Sequence, residues 1–333
     1  MITTNIEVPT GNICIMQGDK GKLEFLSIGD YGKEANVKAQ FLGLNKPIEG
    51  VCNGNIMPLE EKWVITLSTQ YGCSMNCKFC DVPKVGKGVN VTFDDLKNQV
   101  LNALKLHPEV LSTKRLNIHY ARMGEPTWNP NVLLATYELR TIIRPLIGRS
   151  LIHPVLTTML PKNNKLLIPY LQEWTNYIKN DMFRGDAGLQ LSINSTNDKQ
   201  RDNMFSGSSL SLNEISEIAK ALPMPLGRKY ALNFALADTY EVDAVKLRKL
   251  FSPDKFMVKI TPLHITTSCE ENNIKTTGGY TSYTPYELVE QSLIDNGFDV
   301  LVFIPSTDED EGRITCGNAI LSGSMPECDY IIK

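Results

Sequence analysis

The sequence predicts an α/β fold built on a parallel sheet, closed as a barrel or doubly wound. Two observations predict it. From residue 62 onward short apolar runs alternate with amphipathic stretches. Seven of those runs have the length and composition of buried strands. A hydrophobic fraction of 42% in 333 residues is also enough for a sizeable core. The net charge of −3 supplies no overall basic field to draw the chain onto nucleic acid.

Residues 1–60 form the expected N-terminal region. Within it "KLEFLSI" and "ANVKAQFLGL", joined by the turn-rich "GDYGKE", read as a small β-hairpin. Residues 61–333 carry the parallel fold. Its expected strands are "WVITLST", "RLNIHYARM", "PVLTTML", "GLQLSIN", "YALNFAL", "FMVKITPL" and "DVLVFIP". Between them "FDDLKNQVLNALKLH", "NVLLATYELRTIIRPL" and "LNEISEIAKAL" keep apolar residues three and four apart, the spacing of helices with one buried face. Parallel α/β folds collect their chemistry at the C-terminal ends of the strands, so the residues just past each run are the candidates.

The opening "MITTNIEVPTGN" lacks the basic, apolar and small-residue order of a signal peptide. No apolar run approaches the ~18 residues of a membrane span. A cytoplasmic, reducing setting is the expectation, and there eight cysteines read as metal ligands or redox groups rather than disulfides.

Three of them, Cys73, Cys77 and Cys80, crowd into "YGCSMNCKFC" directly after the first expected barrel strand. A structural zinc ion would need a fourth ligand, from a distant cysteine or one of the four histidines. An iron–sulfur cubane also takes four cysteines as a rule. Three would leave one iron open, which is useful only where a substrate or cosubstrate binds.

CxxxCxxC after the first strand resembles the signature of the radical S-adenosylmethionine (SAM) superfamily. That resemblance implies a partial parallel (β/α)6 barrel, a 4Fe–4S cluster on Cys73, Cys77 and Cys80, and SAM on the open iron. Reductive cleavage of SAM then yields a 5′-deoxyadenosyl radical, with electrons from a donor such as flavodoxin or ferredoxin. "MGEP" (Gly124, Glu125, Pro126) resembles the segment that holds the SAM amino group. "LSIN" (Ser192, Asn194) falls where members place Ser and Asn near its ribose and carboxylate. The bland readings are a strand-end carboxylate that caps a helix for Glu125, and loop polarity for Ser192 and Asn194.

More narrowly, the chain resembles the ribosomal-RNA adenine-C2 methyltransferases and their C8-methylating relatives. The likeness runs through "LSTQYGCSMNCKFC", "RMGEPTWNP", "LQLSINSTNDKQRDNM" and "GFDVLVFIPSTDEDEGRITCGNAIL". It implies that Cys316, in "ITCG", accepts a methyl group from one SAM. The radical from a second SAM converts it to an S–CH₂ radical that adds to an sp² carbon of adenine in RNA or a nucleotide. An inert buried thiol is the bland reading of Cys316. A radical enzyme acting on a small molecule without a methyl shuttle is the main alternative. A zinc-stabilised binding protein is the non-enzymatic one.

Three departures bear on that choice. The family's resolving cysteine stands seven positions before the first cluster cysteine, and here that position is Thr66, which forms no disulfide with Cys316. Cys52 is a candidate substitute, while Cys14, Cys269 and Cys328 carry no assignment. The helical accessory domain that precedes the hairpin in ribosomal-RNA members is expected to be absent, which makes a smaller RNA, a nucleotide or another small molecule a credible substrate. Finally, "TPLH" puts His264 where the family has asparagine, and His264 joins the cofactor-binding candidates as an acid/base or hydrogen-bonding group. His119 reads as a core or lining histidine. Arg122 reads as a contact to adenine or phosphate, or as a surface ion pair. The acidic "STDEDEG" reads as a mobile loop or a solvated charge cluster.

Overall fold

In the computed structural model residues 2–46, 48, 56–148, 150–276 and 283–333 are described. The chain opens with an antiparallel meander: β1 (Ile2–Val8), β2 (Gly11–Gly18) and β3 (Gly21–Ile28). A two-residue strand β4 (Val37–Lys38) follows, then β5 (Trp63–Leu67). A hairpin of β6 (Gln70–Gly72) and β7 (Lys87–Asn90) closes the cysteine loop at its base. The remaining strands are β8 (Leu116–Tyr120), β9 (Ile152–Thr158), β10 (Gly188–Ser192), β11 (Tyr230–Leu236), β12 (Phe256–Pro262), β13 (Val300–Phe303) and β14 (Ile331–Ile332).

All seven expected apolar runs form strands, and they pair in parallel in the order β5-β8-β9-β10-β11-β12-β13. The parallel α/β architecture is as expected, with seven strands where a (β/α)6 barrel has six. Alternation along each strand sorts side chains to two sides. In β11 Tyr230, Leu232, Phe234 and Leu236 are buried, while Ala231, Asn233 and Ala235 are only partly so. Ala231 lines a central lumen, as do Thr66, His119, Val155, Gln190 and Lys259 from neighbouring strands.

The outer layer is helical for legible reasons. Phe93–Lys105 starts in a capping box between Thr92 and Asp95, and buries Leu96, Val100, Ala103 and Leu104. Leu212–Ala221 starts in a second box, Ser211 with Glu214. One hydrophobic core runs from Phe25 of the meander through Ile65 and Ile118 to Val258.

The N-terminal region departs from the hairpin reading. "KLEFLSI" is β3, but it pairs with β2 on one side and antiparallel with β5 on the other. "ANVKAQFLGL" does not return beside it. Residues 29–36 cross the open side of the barrel, and Val37–Lys38 pair with Phe303 and Val302 of the last strand. The strap, which includes a helical turn at Lys33–Asn36, thus links β3, beside the first parallel strand, to the last one. Its anchors are polar. Lys62 ion-pairs Asp30 at 2.5 Å, the Ile304 amide donates to Asn36 O at 3.0 Å, and Lys38 donates to Tyr283 Oη at 2.9 Å beside buried Glu290.

Candidate active site

Residues 73–86 form the loop that the β6–β7 hairpin closes, at the C-terminal end of β5. Cys73, Cys77 and Cys80 are free thiols. Burial pushes Cys73 up to about 12 and raises Cys77 and Cys80 well above the ordinary thiol range, with the other cysteines adding to the rise. The three sulfurs therefore sit within electrostatic reach of one another in a poorly solvated space. The Met75 amide donates to Cys73 Sγ at 3.4 Å. Among the described residues no three His, Cys, Asp or Glu side chains converge on the single point that one ion would occupy. The thiolate is the form that ligates iron, and the metal's positive charge would offset the penalty that burial places on it.

Gln70, which sequence reasoning passed over, ties this loop to the next motif. Its Oε1 accepts from Ser74 N at 3.2 Å and from Glu125 N at 3.0 Å, and its Nε2 donates to Asn90 Oδ1 at 2.8 Å. Gly124 lies against it with φ +96, where a Cβ would stand 2.6 Å from the Gln70 Cβ. Gly124→Ala is expected to cost about 1–3 kcal/mol from strain and displacement of Gln70, measured by chemical unfolding. The Glu125 carboxylate is buried and fully engaged. It accepts from Thr127 N at 3.1 Å, Thr127 Oγ1 at 2.7 Å and Met159 N at 2.8 Å. It thus caps the short helix Pro126–Trp128, while burial raises its pKa.

Ser192 ends β10 and Asn194 follows in a left-handed conformation, φ 59. Asn194 Oδ1 accepts from Ala235 N at 3.0 Å, which locks the turn to β11. Buried Arg201 donates to Ser192 O at 3.1 Å and holds the same turn from below. Asn233, paired with Ser192 in register, has a buried Oδ1 with no partner. A buried acceptor left empty is costly, and a ligand hydroxyl or ammonium at the Ser192 level would satisfy it. The residues present therefore fit SAM, with Asn233 an addition to the expected set.

Cys316 is brought to the same end of the barrel by a buried ion pair. Arg122 follows β8 and Glu24 lies on β3, and both are almost fully buried. Arg122 Nε donates to Glu24 Oε1 at 2.8 Å, and Nη2 to the same oxygen. The guanidinium also donates to Arg313 O at 2.9 Å and Thr315 O at 3.3 Å, which holds the loop carrying Cys316. Arg122 is thus neither a surface pair nor a free cation. The Asp81 amide, next to Cys80, donates to Gly317 O at 2.8 Å, so the cysteine loop and the Cys316 loop are joined directly. Buried Asp81 also accepts from Ser268 N and Oγ at 2.8 and 2.7 Å.

Cys316 opens onto the lumen. Enclosure raises its pKa, while the Arg122 and Lys259 charges pull it down. Thr66 faces the same lumen as Cys316 and presents a hydroxyl there. Among the described residues no other cysteine lines it. Cys14 is buried in the meander, and Cys52 lies outside the described residues.

His264 also lines the lumen, beside Cys316 rather than with Glu125 and Ser192. Its Nδ1 is 3.7 Å from Asp310 Oδ1, and burial lowers its pKa against the pull of Asp310. Asp310 also accepts from Thr315 Oγ1 at 2.7 Å. The acidic run is therefore not a solvated cluster. Thr307–Glu311 is a short helix capped by Ser306 and Glu309, with Asp310 buried. His119 does line the lumen, held neutral by burial and nearby cations with a pKa of about 3.

No family model matches the chain. Among curated proteins it is 28% identical over 214 residues to the dual-specificity RNA methyltransferase RlmN of Desulfosudis oleivorans, covering 63% of this chain and 53% of that one. It is 27% identical over 239 residues to the RlmN of Pelobacter propionicus, covering 68% and 63%. The chain thus spans less than two thirds of the length of these curated relatives. Its fold is similar to that of a radical SAM methyltransferase from Sphaerobacter thermophilus, with a TM-score of 0.60 at 17% identity over 93% of this chain and 77% of the other. The chain is thus similar in sequence to RNA methyltransferases named RlmN and similar in fold to a radical SAM methyltransferase.

Proposed function

We propose that the chain is a radical SAM enzyme that methylates an sp² carbon of adenine, in RNA or a nucleotide, through a methylated Cys316. The observation that carries this is the direct Asp81 N to Gly317 O bond, which sets the Cys316 loop against the cysteine loop while the thiol faces the lumen. When bound, a 4Fe–4S cluster on Cys73, Cys77 and Cys80 with SAM supplies the radical chemistry. The chain's own residues bind, orient and shield. Gly124, Glu125 and Pro126 form the turn for the SAM amino group, and Ser192, Asn194 and Asn233 the polar ledge beside it. Arg122 and Lys259 favour the Cys316 thiolate, the form that accepts a methyl group. His264, oriented by Asp310, is the acid/base group on the substrate side. A cytoplasmic setting and an electron donor such as flavodoxin or ferredoxin belong to the same proposal. No helix among the described residues is long and apolar enough to cross a membrane.

The test is intact-protein and peptide mass spectrometry after anaerobic reconstitution and incubation with SAM labelled in its methyl group. The expected result is a labelled methyl on the Cys316 peptide, absent in Cys316→Ala. An unmodified Cys316 in protein that still forms 5′-deoxyadenosine on reduction overturns the shuttle. The second reading, radical chemistry without a methyl shuttle, is favoured by Thr66, whose hydroxyl cannot release a thioether-bound product as a thiol does.

A further inference from the structure

The lumen is one cavity of about 490 Å³, and the proposed chemistry uses only its upper end, where Cys316 sits. The three cluster cysteines, Glu125, Ser192 and Asn194 do not line it, so the SAM site leaves it unexplained. Its charge is one-sided. Three carboxylates line it, and each is accounted for. Asp30 pairs with Lys62 at 2.5 Å, and Glu61 with Lys114 at 2.6 Å. Burial pushes Glu309 up to about 7.

Lys33, Arg115, Arg228 and Lys259 line it as well, and among the described residues none of the four makes an ion pair. Arg115 Nε donates to Asn117 Oδ1 at 3.0 Å, and Arg228 donates to neutral His153 Nε2. Lys259 lies 5.3 Å over the Phe303 ring. Both arginines feel the opposing charge of Asp186, and Arg115 that of Asp30 as well, but neither arginine makes an ion pair with them. Burial and the charges of Arg115, Arg228 and Lys62 push the Lys33 pKa down. Cations gathered against their mutual repulsion mark a place where an anion lowers the energy.

Their placement says what kind of anion. Arg115 directly precedes β8, Arg228 stands just before β11, and His153 is the second residue of β9. Three parallel strands thus deliver them to the floor of the barrel, opposite Cys316, and the strap brings Lys33 across to them. Guanidinium forks match phosphoryl oxygens bidentately, and several cations suit a dianion. A cavity of this volume takes a small molecule whole.

We propose that the floor of the barrel binds the phosphoryl group of a small phosphorylated molecule, with Arg115, Arg228 and Lys33 as its partners. Lys259, midway along β12, guides the rest of the ligand toward Cys316. The phosphoryl site rests on the cavity alone. That its ligand is the molecule methylated rests on the function proposed above, and it makes the substrate a free nucleotide rather than an internal residue of a folded RNA.

The experiment is calorimetric titration of the chain with AMP, inorganic pyrophosphate, adenosine and an RNA hairpin without terminal phosphates. AMP and pyrophosphate are expected to bind, with adenosine at least about tenfold weaker than AMP. Arg228→Gln is expected to weaken AMP by about tenfold as well. Lys33→Gln, on the exposed strap, keeps the test open should Arg228→Gln fail to fold, and is expected to weaken AMP in the same direction. Equal binding of adenosine and AMP overturns the proposal. So does binding of the hairpin alone, AMP binding unchanged in the folded variants, or no phosphorylated probe bound at millimolar concentration. AMP binding without Cys316 methylation sinks the methyl-shuttle reading and leaves the phosphoryl site standing; methylation without AMP binding does the reverse.

Discussion

Arg122→Met is expected to lower stability by about 3–5 kcal/mol, because it leaves Glu24 charged and buried without its partner. The same change releases Arg313 O and Thr315 O, so the Cys316 loop loses its anchor to the barrel. Methylation of Cys316 should therefore fall further than the folded fraction does. Urea unfolding beside labelled-methyl mass spectrometry separates the two effects. The double variant Glu24→Leu/Arg122→Met removes both charges and is expected to recover most of the stability, since an apolar pair of similar volume replaces a buried ion pair at little cost. It should not recover the methyl mark, because the backbone carbonyls stay undocked. If both variants methylate Cys316 as the wild type does, the pair has no positioning role.

Cys77→Ala is expected to abolish iron–sulfur loading, seen as loss of iron, acid-labile sulfide and visible absorbance after anaerobic reconstitution. Cys77 is buried among the other two thiols, and two remaining cysteines cannot hold a cubane. The apo fold should survive, because the loop is closed at its base by the β6–β7 ladder and tied by Gln70 and Asp81 rather than by its thiols. Cys316→Ala, by contrast, should load iron normally. Iron retention in Cys77→Ala at the wild-type level, or zinc in place of iron in the wild type, would remove the basis for radical chemistry.

The parallel strands were legible because each is short, apolar and bounded by turn residues, and the helices because their buried faces repeat every three to four residues. The cysteine triad stood out by its spacing, and the other motif residues were legible only through the resemblance that their segments carry. What escaped was what pairs across long stretches of chain. Glu24 sits inside the apolar run "KLEFLSI", where a lone carboxylate in an otherwise buried strand was itself a sign of a buried partner, yet nothing local names Arg122 as that partner. Lys259 and Asn233 point inward by alternation, but only the closed geometry shows that one faces Cys316 and the other lacks a hydrogen-bond donor. Val37–Lys38 is too short for any periodic signal, so its crossing to the far edge could not be read. The acidic helix after β13 misled because its charge hides a capping box and a buried aspartate.

The strap also sets an order of events during synthesis. Val37 leaves the ribosome early, but its partner Phe303 belongs to the last parallel strand. At ordinary elongation rates the wait is roughly 15–50 s. Until then the nascent barrel has an open seam along its length, and the Gly317 carbonyl that closes over the cysteine loop has not yet been made. Lateral sealing and capping of the cysteine loop therefore come last. On the nascent chain the cysteine loop and the β6–β7 hairpin that closes it are therefore complete in sequence well before the residues that cover them exist.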